Sequence, residues 1–471
     1  MSGKEAVSEH VEGLESSSPE VTEKTRNNDT FATVIQHSKP NPWSRGYLRL
    51  YFMCLLVYLC ATMAGFDGQL MGSINAMKSY TEHYGLPAEG SSGTGLVFSI
   101  FSPTLGAFIG GRFILAFFSS FACVAAPMYL LEVAPPQYRA TVSGMYNTLY
   151  YFGAIIVTCT VYATNHHLTG LVSWRLPLWL QMLMLCPGLV CLGIWLVPES
   201  PRWLVGKDRH EEARKILADL HADGDHKHPL VELQMTEIVQ ALKQEGMMTW
   251  RYFFDLRVLF KTRARRYRIM LNIAFSWFGQ FSGNNIASYY LPYLVANVGI
   301  TNTSTQLLLN IVYAITDWTP AMIGARLHDV FGRRKMLTGV TLEMADCLAI
   351  TAGTAADYVH TGSKASSRAS ITFIYVFGST FALAMTSMQP IYPGEVLSND
   401  MRAKGMEAYS FTAATASFVN TIAAPVWLRD TKYWMYVFFV FWDIFECVFI
   451  YFFFVETKGR TLEELDEIHS C

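Results

Sequence analysis

The sequence predicts an all-α membrane protein, a two-half helix bundle of about ten transmembrane helices, four before a polar hinge and six after it. Three observations predict it. Of 471 residues, 51% are hydrophobic and only 16% charged, a balance that argues against a soluble enzyme of this length. Ten apolar runs approach or exceed the ~20 residues that a helix needs to cross a bilayer. Between the fourth and fifth lies Pro198–Arg268, a polar segment with fourteen Lys/Arg. Lys and Arg are retained on the cytoplasmic side of a membrane, which places this hinge inside.

Taken in order, residues 1–46 are rich in Ser, Glu and Lys and have no apolar core. They read as a disordered cytoplasmic tail rather than a signal peptide. Residues 47–197 form the N-terminal membrane half, with runs at Leu48–Ile74, Gly95–Val133, Tyr146–Ala163 and Leu176–Val197. In the linker, 198–268, Asp208–Leu220 reads as an amphipathic helix with Ala213, Ile216, Leu217 and Leu220 on one side. Val231–Lys243 reads as another, and both are expected to pack under the membrane domain. Residues 269–455 form the second half, with runs at Ile269–Val298, Leu307–Leu327, Met336–Ala356, Ile371–Pro393, Ala408–Leu428 and Tyr433–Val455. Residues 456–471 are a second cytoplasmic tail.

Alternating the runs about an internal hinge puts Arg333-Arg334-Lys335, Arg402/Lys404 and Lys458/Arg460 inside as well, and the Lys/Arg-poor loop Ser79–Ser92 outside. Lys364, Arg368, Arg429 and Lys432 run against the rule. Most of the nine cysteines sit within apolar runs and read as small hydrophobes, not a disulfide framework. Asn302-Thr-Ser304 is a glycosylation sequon in an outside loop.

An internal repeat is legible. Glu132-Val-Ala-Pro-Pro-Gln-Tyr-Arg139-Ala returns as Glu395-Val-Leu-Ser-Asn-Asp-Met-Arg402-Ala, with Glu and Arg seven apart in both copies. Parallel repeats of this kind build many transporters, with the substrate between the halves. The first copy ends the second run of its half, whereas the second copy ends the fourth. From Leu48 to Glu132 is 84 residues and from Ile269 to Glu395 is 126. About two spans, at ~20 residues each, are therefore expected to be missing from the first half, near Phe101–Gly106 inside the overlong second run.

The ordered motifs Gly65-Phe-Asp67, Gly111-Arg112, Glu132 with Arg139, Pro198-Glu-Ser-Pro-Arg202, Gln280-Phe-Ser-Gly-Asn-Asn285 with Tyr289-Tyr290, Asp329-Val-Phe-Gly-Arg333-Arg334-Lys, Pro393-Gly-Glu395 with Arg402, and Val455-Glu-Thr-Lys-Gly-Arg460 resemble the sugar porter family of the major facilitator superfamily. The resemblance covers Leu48 to Glu464. Tyr392-Pro-Gly-Glu-Val and the hinge are similar to the fungal branch of lactose permeases and hexose transporters. The resemblance implies a twelve-span fold, here reduced to ten, and alternating access by rocking of the halves.

A sugar site needs groups that both donate and accept hydrogen bonds, together with aromatic faces. Gln280, Asn284, Asn285, Tyr289 and Tyr290 supply these, at what reads as helical spacing. The resemblance implies that Gln280 and Asn285 bind sugar hydroxyls, that Tyr289-Tyr290 belong to an outer gate, and that Asn147 and Asn420 touch substrate. The plainer alternative for these amides is interhelical polar contact. Two positions depart from the family pattern. Gly279 stands where a second glutamine is common, and Pro390 stands where glucose carriers place a tryptophan. Asp67 and Arg112 match the pair that couples proton binding to sugar binding in the family; a static ion pair is the alternative. Glu132, Arg139, Glu199, Arg202, Arg333, Arg334, Glu395, Arg402, Glu456 and Arg460 match charges that close the inner gate, or else anchor the ends of spans.

Asp317, Glu343 and Asp346 are acids within apolar runs that no motif absorbs. They read either as a further proton site or as drift in a truncated carrier. No nucleophile–base constellation, metal-ligand cluster or nucleotide loop appears, so the sequence predicts no enzyme and no cofactor. The expected partners are a sugar, a proton and the lipid bilayer, with no nucleic acid and a monomeric chain in the plasma membrane. Two rivals stay open: a sugar receptor that does not transport, and a non-functional truncated carrier. The short stretch after Val455 weighs against the receptor.

Overall fold

A computed structural model describes residues 43–83, 105–135, 138–181, 196–245, 257–289, 291–297, 299–300, 302–397, 401–431 and 433–458. Among the described residues there are helices and no strands. The chain divides into two compact units. The smaller gathers residues from Met1–Met53, Glu132–Gln137 and Val197–Gly246, and the larger holds Cys54–Leu131, Tyr138–Leu196 and Met247–Cys471.

In the smaller unit the polar hinge folds on itself. Helices α6 (Pro201–Gly206), α7 (His210–His221) and α8 (Pro229–Glu245) close a core of Leu204, Val205, Ala213, Leu217, Ala218, Val231 and Met235. Both amphipathic helices expected in the hinge are present, and Ala213, Leu217 and Leu220 are buried as expected. Ser200 starts α6: its hydroxyl accepts from the Trp203 amide at 3.3 Å, and Pro201 fills the first helical position, where no amide hydrogen is needed. The Arg209 guanidinium grips Glu212 with two hydrogen bonds and holds that exposed carboxyl below its usual range.

The membrane helices begin with α1 (Arg45–Asn75) and the short α2 (Lys78–His83), then α3 (Leu105–Val133), α4 (Arg139–His167) and α5 (Leu171–Leu180). After the hinge come α9 (Arg257–Phe260), α10 (Arg263–Phe281), α11 (Asn284–Tyr289), α12 (Leu291–Asn297), α13 (Thr303–Phe331), α14 (Arg333–Thr361) and α15 (Lys364–Phe381). A π turn at Ala382–Thr386 joins α15 to α16 (Ser387–Val396); α17 (Arg402–Thr431) and α18 (Trp434–Phe453) complete the bundle. Thr262 and Asn302 cap α10 and α13 through their side chains. Within the larger unit α13 packs along α4, α14 lies between α15 and α18, and α10 runs beside α17.

Among the described residues six helices are long and apolar enough to cross a membrane: Arg45–Ile74, Phe113–Val133, Thr303–His328, Arg333–Thr361, Lys364–Val396 and Trp434–Phe453. The remaining four expected spans have distinct fates. Most of Leu176–Val197 lies outside the described residues. Tyr146–Ala163 and Ala408–Leu428 fall inside α4 and α17, which are long enough at 29 and 30 residues. Both carry buried polar side chains, among them Thr148, Thr158 and Asn420, so they fall short in apolarity alone.

The fourth, Ile269–Val298, departs from expectation. It is not one continuous helix: α10 ends at Phe281 and helix resumes at Asn284 with α11. Gly283 has φ +87, a left-handed conformation that suits glycine and ends the α-helical hydrogen-bond ladder. The helical spacing read across Gln280–Tyr289 is therefore interrupted between Ser282 and Asn284. The overlong second run holds one described helix, α3; residues 101–104 of the expected junction lie outside the described set.

Candidate functional site

The break in the fifth run shapes the candidate site. A helix interrupted inside a membrane leaves backbone carbonyls without their intrahelical partners, and these must be satisfied by side chains. The Gln280 carbonyl is such a group. Asn285 donates to it at 3.1 Å from beyond the break, and Asn420 of α17 donates at 3.0 Å. Asn285 also donates to the Gln280 side-chain oxygen at 3.2 Å. Three of the seven expected substrate residues thus meet around one carbonyl. Asn285 and Asn420 each commit an amide hydrogen to the Gln280 carbonyl, whereas the Gln280 Nε2 donor has no partner among the described residues. Asn284 is half-buried, and its Oδ1 is buried without a partner.

Two further ties show where the plainer reading holds. Asn272 donates to the Gly405 carbonyl and Ser276 to the Tyr409 carbonyl, both at 2.7 Å. These bind α10 to α17 below the break and leave the amide cluster at its upper end.

Asn147 reaches the same region from α4. It donates to the Thr386 carbonyl in the π turn and to Gln389 Oε1 at 3.3 Å. Tyr151, one turn later, shares a 3.1 Å hydrogen bond with the Thr386 hydroxyl. Gln389 was not singled out from the sequence, although a glutamine just before Pro390 inside an apolar run was a usable signal. Its Nε2 lies 3.4 Å from where a Cβ on Gly279 would stand. An amide from α16 therefore occupies the space beside Gly279, where the family pattern led us to expect a neighbouring glutamine.

Asp67 on α1 accepts from Gln181 Nε2 at 2.7 Å. The side chains of Arg112, Arg139 and Tyr289 lie outside the described residues, as do Tyr290 and Arg460, so those expected contacts lie there too.

At the start of α14 the expected gate charges converge. Arg333 grips Glu395 with two hydrogen bonds, Nε to Oε2 at 3.1 Å and Nη2 to Oε1 at 2.8 Å. Glu456 accepts from the Arg333 and Arg334 amides at 2.8 and 3.2 Å, capping the positive end of α14. Thr457 donates to Glu395 at 2.5 Å, and Arg334 donates to the Tyr451 carbonyl. In the smaller unit Glu132 accepts from the Ser200 hydroxyl, while Glu199 is exposed and Arg202 half-buried. Arg402 is half-buried at the start of α17.

The sequence reading also passed over Asp443 and Glu446, three apart on α18. Both are fully buried, and Trp442 donates to Glu446. Of the three acids it did single out, Asp317 is fully buried, whereas Glu343 and Asp346 are exposed on α14.

Comparison with known proteins follows the same line. The profile of the family described as "Sugar (and other) transporter" matches residues 92–469. A high-affinity glucose transporter of Kluyveromyces lactis is 28% identical over 388 residues, covering 76% of this chain and 67% of the relative. An MFS glucose transporter of Aspergillus flavus is 28% identical over 405 residues, covering 79% and 73%. A quinate permease of Neurospora terricola is 26% identical over 373 residues, covering 76% and 68%. Among solved structures, the proton:xylose symporter XylE bound to 6-bromo-6-deoxy-D-glucose superposes with a TM-score of 0.68 at 19% identity. That likeness covers 90% of this chain and 99% of the symporter.

Proposed function

The chain belongs to the sugar (and other) transporter family, and we propose that it is a plasma-membrane sugar carrier working by proton-coupled alternating access. The observation that carries this reading is the broken helix at Ser282–Gly283, with the amides of Gln280, Asn285 and Asn420 gathered about one carbonyl. Discontinuous helices are how transporters build substrate sites near the middle of the bilayer. With the Asn285 and Asn420 hydrogens held by Gln280, their side-chain oxygens are left as acceptors and Gln280 Nε2 as a donor. That set matches hydroxyls, each of which donates and accepts. Asn147 and Gln389 extend it from α4 and α16, Asn284 is a further proposed contact, and the resemblance assigns Tyr289 and Tyr290 to an outer gate. The relatives named for glucose support a hexose; a disaccharide such as lactose remains within the reading, because Pro390 and Gly279 leave a site unlike the usual glucose pattern.

Asp67 with Arg112 is the proposed coupling pair, and Gln181 holds the carboxylate in position. Protonation would release Arg112 and favour the sugar-binding state, which couples the two only if proton and sugar prefer the same state. Arg333, Glu395 and Glu456 form the proposed inner latch of the larger unit, with Arg139, Arg334, Arg402 and Arg460 as accessory charges, and Glu132, Glu199 and Arg202 are proposed gate charges of the smaller unit. Both termini are cytoplasmic in this reading, and ten spans serve in place of twelve.

The test is uptake of labelled glucose, galactose, xylose, lactose and quinate in cells lacking their own sugar carriers, with surface protein measured in parallel. Saturable uptake that an uncoupler abolishes is the expected result. Surface protein with no saturable uptake of any of the five would sink the transport reading and leave the receptor or the inert carrier.

A further inference from the structure

Among the described residues, Asp317 is the buried acid that sits where the proposed substrate network and the first half meet. It lies fourteen residues from each end of α13, at the middle of a helix long and apolar enough to span the membrane. It is fully buried, and among the described residues the donor beside its carboxyl is a neutral one, the Tyr313 hydroxyl one turn earlier. No Lys, Arg or His among them pairs with it. The titratable groups around it are tyrosines: Tyr313 one turn earlier, Tyr375 of α15, and Tyr151 of α4 beyond Tyr313. Ala321, one turn later on the same face, packs with Tyr151 and with Ala382 of the π turn. Tyr151 in turn bonds Thr386, whose carbonyl holds Asn147. The carboxyl therefore stands at the seam between α4 of the first half and α13, α15 and the π turn of the second.

A carboxylate at mid-membrane with a neutral tyrosine for a donor and no cation is costly, and such groups mark ion or proton pathways. The tyrosines offer no positive charge. A proton is the ligand that this position takes without any rearrangement of its neighbours. We propose that Asp317 is a second proton-carrying carboxyl of the transport cycle, loaded when α4 and α13 are packed together and unloaded when they part. A proton arriving from water forms the carboxyl O–H on one side of the membrane. The same bond breaks to water on the other side, so no net chemistry remains. This inference rests on the reading of the chain as a proton-coupled carrier.

Two coupled protons and one have different ceilings. At 100 mV each coupled charge is worth about 2.3 kcal/mol, or about 50-fold in accumulation. The experiment is the proton-to-sugar ratio of purified protein in liposomes, taken from the membrane potential at which net sugar flux reverses. A ratio of two in the wild type and one in Asp317→Asn is expected, with the accumulation limit lowered about 50-fold at 100 mV. A ratio unchanged by the substitution overturns the proposal, as does a wild-type ratio of one. Sugar flux with no proton movement in the wild type overturns the coupling reading itself. Where Asp317→Asn is not produced, the wild type is treated with a hydrophobic carbodiimide, which attacks protonated carboxyls in membranes. Modification of Asp317 that alkaline pH slows supports the proposal, and no modification at any pH overturns it.

Discussion

Gln280 does two jobs with one residue, and the two are separable. Its backbone carbonyl anchors Asn285 and Asn420 across the helix break, so side-chain truncation leaves that anchor standing. What truncation removes is the Nε2 donor and the side-chain oxygen that orients Asn285. Losing one or two such hydrogen bonds in a dry site costs about 1–3 kcal/mol, or about 5- to 150-fold. Gln280→Ala should therefore raise KM for sugar by that factor while surface protein stays near the wild-type level. A mere interhelical contact would show the opposite pattern, with lower protein and unchanged KM. Gln389→Ala tests the neighbour that the sequence reading missed. Because Asn147 also bonds the Thr386 carbonyl, this loss should be smaller, about 0.5–1.5 kcal/mol, again read in KM. The same residues show what a sequence can disclose. Amides in an apolar run are conspicuous by their cost, so Gln280, Asn285 and Asn420 were legible. Which hydrogens are spent on the backbone was not, because that depends on φ at Gly283.

Helix crossings carry the second scale. Gly65 of the Gly65-Phe-Asp67 motif has a structural use: a Cβ there would collide with the Tyr150 carbonyl on α4. The contact is reciprocal, since a Cβ on Gly153 of α4 would collide with the Thr62 carbonyl on α1. Small residues at such crossings let two backbones approach, the main source of helix attraction in lipid. Gly65→Ala or Gly153→Ala forces backbone apart rather than a flexible side chain, at about 1–3 kcal/mol. Each should lower Tm in detergent, whereas Gly339→Ala, with open space around its Cβ, should not. Equal Tm values for all three would refute the crossing. The elements themselves were mostly legible, since long apolar runs and an amphipathic period in the hinge specify helices directly. The breaks were not read: Ser282–Gly283 interrupts a run taken as one span despite its polar Gln280–Asn285 stretch, and the π turn at Ala382–Thr386 sits in another. Hydropathy reports which solvent a segment prefers and is nearly blind to local hydrogen-bond phase.

For the whole molecule, the question is what the charges at the start of α14 hold. Arg333 is 8% and Glu395 27% exposed, and together with Glu456 and Thr457 they join the end of α16, the start of α14 and the chain after α18. The repeat singled out Glu395 as a candidate gate charge, but its partner in space is Arg333, 62 residues away, not a residue that the repeat could name. Two readings of this cluster diverge under mutation. Glu395→Gln leaves a largely buried guanidinium without its counter-charge, a loss of about 3 kcal/mol when a buried pair is broken from one side. Removing both charges relieves that penalty, because the cost lay in the stranded ion. If the cluster only stabilises the bundle, Arg333→Gln combined with Glu395→Gln should recover both Tm and transport. If it is a latch that must close in one state, the double variant should recover Tm but not transport, and a thiol reagent should reach cysteines placed on the substrate-facing side of α10 from the cytoplasm. We expect the second pattern, with sugar exchange reduced at least about tenfold, equivalent to about 1.4 kcal/mol of lost bias between states. Recovery of exchange together with Tm would assign the cluster to stability alone.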